Sequence, residues 1–364
     1  MGDFPVNELL DWYNKNKREM PWRNTCDPYK IWVSEIMLQQ TRVDTVIPYF
    51  HNFMEKFPTV HDLADAKQQT VLKIWEGLGY YSRARNMHKA AQTVSEDLGG
   101  TMPNSYDELK KLKGIGPYTA AAVSSIAFDE KRAVLDGNVL RVLCRYFDIE
   151  EDIRSTKTKN RVQKLADDLI PKENPGDFNQ AVMELGATVC TPSNPQCDAC
   201  PLSVGCKAYN MAKTDSLPYK SKAKKVPHHD ISVGLIVNEN SELLIALRPD
   251  DAMLGGLWEL PGGKKESGES LKQALERELN EELGVRVDVY DEFMSLKHAY
   301  SHFKITMHAF WCRINNGTPV PKSSEDLKWI TIEEMDEYPF PKANKVLIKE
   351  LNKLTGNDLT DYIR

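Results

Sequence analysis

The sequence predicts a multi-domain protein: an all-α domain over residues 1–212, a linker over 213–229, and an α+β domain over 230–364. Three observations carry this. Apolar residues recur at helical spacing before residue 213, and alternating Val, Ile and Thr are scarce there. From Ile231 onward the texture turns to short β-rich runs around one helical stretch. Between them, Lys213 to His229 is polar, basic and broken by Pro218 and Pro227, as a linker would be. A chain of 364 residues is long enough for two domains of ordinary size.

In chain order, helices are expected over 6–14, 29–56, 69–77, 83–98, 105–112, 117–128, 137–147 and 157–170, and again from Phe178 to Gly186. Asp27 and Pro28 form a start signal, and Trp32, Ile36, Leu38, Val43, Val46, Ile47 and Phe50 supply apolar stripes. In the second domain, strands are expected at Ile231–Val237, Leu243–Leu247 and Phe303–Trp311, with a helix at Leu271–Leu283.

Composition narrows the class without naming it. No apolar run reaches bilayer length, and Met1 to Pro5 show no charged-then-apolar signal pattern, so a soluble cytoplasmic protein is expected. Net charge is −6, but residues 231–364 carry 16 basic against 23 acidic residues while 1–230 carry 31 against 30. Charge alone therefore does not predict nucleic acid as partner, and motifs must decide.

The stretch from Leu112 to Ala121 holds Gly114, Ile115, Gly116 and Pro117, followed by small residues. Two glycines allow a tight hairpin, and the helix opening at about Pro117 directs backbone N–H groups outward, where a phosphate could sit. Alone, this would be an ordinary helix–turn–helix. Upstream, Glu35 lies inside the apolar run Trp32–Leu38 and is followed by Gln39 and Gln40. Most helical glutamates face solvent, but burial would keep this one protonated near neutral pH, as a general acid requires. Downstream, Asp136 precedes Gly137, Asn138 and Val139. An Asp before a helix is usually an N-cap, and the helix N-terminus also favours its anion. Cys190, Cys197, Cys200 and Cys206 then follow with spacing C-x6-C-x2-C-x5-C, which lacks the paired C-x2-C of zinc ribbons. Four thiolates suit zinc or an iron–sulfur cluster. Cys26, Cys144 and Cys312 read as ordinary packed thiols.

Together these motifs resemble the helix-hairpin-helix DNA glycosylases of the endonuclease III superfamily, and the MutY adenine glycosylase family most closely. The resemblance covers nearly the whole chain. It implies that Glu35 protonates adenine at N7 and that Asp136 stabilises the sugar cation, with Asn138 orienting one of them. It places Trp22 and Arg23 at the adenine pocket, where the plainer reading is a core Trp beside a surface Arg. Glu184 would hydrogen-bond the flipped base, though by itself it could be a surface Glu. Leu38, Gln39 and Gln40 would press on the gap left in the base stack, and Gly114 and Gly116 would hold DNA phosphates. Tyr80, in a glycine-bracketed turn, would wedge into the duplex; otherwise it is a packed loop Tyr. Tyr118 stands near the carboxylates, where bifunctional relatives carry a Schiff-base Lys. Lyase chemistry needs an amine nucleophile, so a monofunctional glycosylase is expected. The cysteine spacing implies a 4Fe–4S cluster, structural in role.

The second domain carries Gly263, Glu269, Arg277, Glu278, Glu281, Glu282, Gly284 and Val285 at the spacing of the complete Nudix hydrolase box. Glu278, Glu281 and Glu282 fall at i, i+3, i+4, so a shared face for Mg²⁺ is expected; a solvated acidic helix is the alternative. MutY proteins typically have a Nudix-like C-terminal domain that reads 8-oxoguanine without an intact box. The run from Lys297 to Phe303 resembles their lesion loop, which assigns Ser301 and His302 to 8-oxoguanine; otherwise they form a polar hairpin turn. The expected function is excision of adenine opposite 8-oxoguanine or guanine in double-stranded DNA, by a monomer with a bacterial layout and no membrane partner. Rival readings are a Nudix pyrophosphatase, a non-catalytic lesion sensor and a thymine or uracil mismatch glycosylase.

Overall fold

A computed structural model describes residues 4–222, 226–300 and 302–364. The chain forms two compact units, Met1–Asp65 with Asn86–Ala223, and Ala66–Arg85 with Lys224–Arg364. Residues 66–85, which the helical texture assigns to the first domain, thus belong with the strand-rich unit. No helix among the described residues is long and apolar enough to cross a membrane.

The chain opens with α1 (Val6–Asn16), α2 (Pro28–Leu38), α3 (Val43–Lys56) and α4 (Val60–Asp65), then α5 (Gln68–Trp75) and α6 (Ser82–Asp97). It continues through α7 (Tyr106–Leu109), α8 (Pro117–Phe128), α9 (Gly137–Phe147), α10 (Thr156–Leu169), α11 (Pro175–Thr188) and α12 (Lys207–Asn210). The single helix expected over 29–56 is two. The apolar stripe runs straight through the join, but Gln40 has φ +57° and cannot continue a right-handed helix, and Arg42 is extended.

Two helices form the centre of the first unit. α2 starts where Asp27 Oδ1 accepts from the Tyr29 N–H (2.9 Å) and Pro28 has no N–H to leave unpaired. It is buried from Ile31 to Met37, Glu35 included. It packs on α8, whose buried face from Thr119 to Ser125 consists of small residues that allow close approach. Around this pair, Leu9, Tyr13, Leu143, Val162, Phe178, Val182 and Leu185 bring α1, α9, α10 and α11 into one core.

The second unit has strands β1 (His228–Ile236), β2 (Leu243–Leu247), β3 (Trp258–Glu259), β4 (Gly262–Lys264), β5 (Arg286–Ala299), β6 (Lys304–Asn316) and β7 (Asp326–Ile330). They make a mixed sheet of order β4-β1-β6-β5, with β1 parallel to β6, and an antiparallel sheet β3-β2-β7. α13 (Leu271–Leu283) buries Leu275, Leu279 and Leu283 against Ile236, Phe310 and Cys312. It starts in a capping box of Ser270 and Gln273. α14 (Lys342–Leu351) packs Leu347, Ile348 and Leu351 into a separate core with Val233, Leu235 and Trp311. β5 escaped the sequence reading because three register shifts break its alternation.

Residues 66–85 belong here because their polar side chains bond within this unit. Gln68 donates to Asp250 (2.7 Å), Gln69 to the Gly256 carbonyl (2.9 Å) and Lys73 to the Tyr338 carbonyl (3.1 Å), while Glu76 accepts from the Phe340 N–H (2.9 Å).

Candidate active site

α2, α8, α9 and α11 enclose a cavity of about 180 Å³ in the first unit. Its wall includes Trp22, Arg23, Glu35, Leu38, Tyr118, Asp136, Asn138, Met183 and Glu184. Eight residues singled out from the sequence for the adenine pocket, for catalysis or for the gap in the stack thus meet at one place.

Glu35 is only 5% exposed, and its Oε2 has no hydrogen-bond partner among the described residues. Burial raises its pKa from 4.5 to about 7, against a weaker opposing effect of the Tyr118 hydroxyl; Asp136 adds to the rise and Arg23 opposes it. The same Tyr118 hydroxyl lies 3.3 Å from Met183 Sδ. Burial among carboxylates holds the Tyr118 phenol well above its ordinary pKa.

Asp136 is the N-cap of α9. Its Oδ1 accepts from the Val139 N–H (2.7 Å) and its Oδ2 from Asn138 Nδ2 (2.8 Å). Burial still pushes its pKa above the usual carboxylate value, so the N-cap bonds oppose the rise without cancelling it. With these donors on both oxygens, against the single Tyr118 hydroxyl that faces Glu35, Asp136 ionises first. Behind it stands Arg141, which the sequence did not single out. It donates to Asn138 Oδ1 (2.8 Å) and to the carbonyls of Gly186 (2.7 Å) and Cys190 (2.7 Å).

Glu184 is buried and accepts from Arg18 Nε (2.6 Å) and Arg23 Nη2 (2.7 Å), which hold its pKa below the ordinary value against the opposing effect of burial. Arg18 was also missed; in a run of charged residues nothing marks which exposed arginine pairs with a buried carboxylate. Trp22 is buried, edge-on to Phe50 at 5.3 Å. Gln39 donates to Thr119 Oγ1 (3.2 Å), and Gln40 occupies the left-handed turn after α2.

The hairpin before α8 has Gly114 at φ +80°, where a Cβ would also lie 2.6 Å from that of Asn86, so the turn is closed to other residues. Gly116 is extended and caps α8.

Cys190, Cys197, Cys200 and Cys206 surround one small cavity together with Arg145, whose Nη1 lies 3.3 Å from Cys190 Sγ. Among the described residues, no three His, Cys, Asp or Glu side chains converge as they would on a single metal ion.

In the second unit, Tyr80 and His302 line a cavity of about 390 Å³ with Tyr300 and His298, so the residues expected to wedge and to read the lesion share it. Ser301 lies outside the described residues. Among the described residues, the Nudix-box carboxylates do not gather as three ligands would on one metal ion. Glu281 is largely exposed and paired with Arg277 (3.3 Å), which also binds Glu269 (2.8 Å) and Glu278 (3.1 Å). Glu282 is half-buried; its Oε2 accepts from the Gly262 N–H (3.3 Å), and burial raises its pKa to about 7.

Residues 33–172 match the HhH-GPD superfamily of base excision DNA repair proteins, and 232–350 match the NUDIX domain. The class is therefore a base-excision repair glycosylase joined to a Nudix domain. The mouse adenine DNA glycosylase is 36% identical, over 94% of this chain and 77% of that protein, and the human one is 36% identical over 94% and 72%. That of Buchnera aphidicola (strain APS) is 30% identical over 95% of this chain and 97% of its own. The chain belongs to the adenine DNA glycosylase family. Among solved structures, a thermostable thymine-DNA glycosylase is 31% identical with a TM-score of 0.51, covering 57% of this chain and 95% of that one.

Proposed function

We propose that this protein excises adenine mispaired with 8-oxoguanine, or with guanine, as a monomeric, monofunctional glycosylase. Glu35 carries the reading: a buried carboxyl with a pKa near 7 and an oxygen unpartnered among the described residues, on the wall of a cavity. A stacked base cannot reach such a group, so adenine turns out of the duplex into the cavity. Glu35 gives its proton to adenine N7, and the glycosidic bond loosens as its electrons move into the purine. Asp136, positioned by Asn138, faces the resulting sugar cation as an anion. Water adds at C1′ and its proton returns to the carboxylates. Trp22 walls the base, and Glu184, kept ionised by Arg18 and Arg23, accepts from its amino edge. Tyr118, a phenol, stands on the cavity wall, and lyase chemistry would need an amine nucleophile there.

The remaining parts serve DNA. Gly114, Gly116 and the start of α8 take backbone phosphate. Leu38, Gln39 and Gln40 fill the opened stack, Tyr80 wedges beside the mispair, and Ser301 and His302 read 8-oxoguanine. Four thiols around one cavity, at the spacing C-x6-C-x2-C-x5-C and without paired C-x2-C units, fit a 4Fe–4S cluster. Bound there, a cluster would cross-link the loop through Cys190, Cys197, Cys200 and Cys206. Glu278, Glu281 and Glu282, two of them tied to Arg277, are the carboxylates that would hold Mg²⁺ at the Nudix box.

The test is a single-turnover incubation with duplex bearing adenine opposite 8-oxoguanine, half of each sample treated with alkali. Strand cleavage only after alkali is expected. Cleavage without it would overturn the monofunctional assignment, and no abasic product on either mispair would overturn the reading.

A further inference from the structure

The turn between α5 and α6 departs sharply from regular backbone. Gly77, Gly79 and Tyr80 have φ of +104°, +73° and +48°. A tyrosine in left-handed backbone is unfavourable, so neighbouring contacts must hold it. The holding group is a buried arginine. Arg83 Nη2 donates to the carbonyls of Leu78 (3.2 Å) and Gly79 (3.1 Å), and the Trp75 indole N–H donates to the same Gly79 carbonyl (3.1 Å). The guanidinium lies 5.2 Å from the Trp75 ring and 5.5 Å from the Tyr80 ring. It therefore grips the backbone before Tyr80 and the ring of Tyr80 at once, while that ring stays 37% exposed on the cavity wall beside Tyr300 and His302.

We infer that Arg83 is a positioning residue for excision, which presets Tyr80 in its strained turn so that the ring enters the duplex without first being ordered. The inference rests on the reading of Tyr80 as the wedge. Its chemistry needs the planar fork of arginine. A lysine keeps the charge but cannot donate to two carbonyls and stack on two rings with one flat group.

A double-mutant cycle on the full-length protein tests it, using Arg83→Met, Arg83→Lys and Tyr80→Ala. The readouts are single-turnover excision at saturating enzyme and the brightening of 2-aminopurine placed beside the mispair, which reports an opened stack. Arg83→Met should slow excision on the order of tenfold, Arg83→Lys by less, and each should dim the 2-aminopurine signal. In the Tyr80→Ala background neither should slow it further, because Arg83 acts through that ring. Multiplicative effects, or full activity in Arg83→Met, overturn the inference while leaving the wedge intact. An unaffected Tyr80→Ala overturns the wedge reading itself. Should Arg83→Met fail to fold by thermal denaturation, Arg83→Lys carries the same cycle.

Discussion

In the helical unit Glu35 leaves a carboxyl oxygen without a partner among the described residues, whereas in the strand-rich unit Glu269, Glu278 and Glu281 share one arginine. Arg277 and the Glu266 N–H hold half-buried Glu269 at a pKa of about 2, while burial holds Glu35 at about 7. A carboxylate whose acceptors are occupied by a permanent cation is a structural tie. One that is buried, protonated and short of partners can give its proton to a substrate. The second set has the more complete sequence signature, and the first has the buried carboxyl with the raised pKa. Spacing reports which residues could share a face, whereas function depends on which hydrogen-bonding positions remain unused once the face has packed.

The largest expected effect follows from this contrast. Glu35→Gln keeps shape and removes the acid, so single-turnover excision should fall by ~10³-fold. Glu281→Gln, which removes one bond from an exposed pair, should change it less than about twofold. Comparable losses in the two variants would erase the distinction.

A second expectation concerns stability, and its sign is the reverse of a stabilising salt bridge. The folded pKa of Glu35 is raised from 4.5 to about 7. Below the lower value both states are protonated and nothing is lost. As pH climbs through the interval the unfolded chain sheds the proton first, so the fold loses stability and does not regain it. At pH 8 Glu35→Gln should therefore be more stable than the parent by about 3 kcal/mol, a gain that vanishes near pH 4. Urea titrations at the two pH values measure it; an equal gain at both would place the effect in packing. The same ionisation should cut excision about tenfold per pH unit above 7 in the parent, and a rate that stays flat to pH 9 would remove Glu35 as the acid.

What could be read in advance divides along the same line. The burial of Glu35 was legible only through the family resemblance, since most helical glutamates face solvent, whereas the Asp136 N-cap has a local signature before Gly137 and Asn138. Four cysteines in seventeen residues were legible by count and spacing. Arg18, Arg141 and Arg145 were not. An arginine that binds a buried group reads the same in sequence as one in water, since its partners are backbone carbonyls and carboxylates distant along the chain. The break at Gln40 was hidden by apolar positions on either side in helical phase. Residues 66–85 read as ordinary helix and turn, and only the placement of Gln68, Gln69 and Lys73 shows which unit they complete.

The smallest expected effect tests whether Asp136 depends on packing two layers away. At Gly186 an added Cβ would lie 2.6 Å from the Asn138 Cβ and 3.0 Å from its Cα, so α9 must give way and no side chain can swing aside. Asn138 donates to Asp136 and accepts from Arg141, which itself donates to the Gly186 carbonyl. Gly186→Ala should therefore destabilise the helical unit by about 1–3 kcal/mol, as overpacking does, and slow excision by several-fold. The fall in rate above pH 7 should keep its position, because Glu35 is on α2 and its burial is untouched. The low-pH limb, set by the ionisation of Asp136, should move upward as the Asn138 bond lengthens and the anion loses a donor. If both limbs shifted together, the α9–α11 contact would be a general prop for the cavity; a shift confined to the acid side would make Gly186 part of how Asp136 is kept ionised.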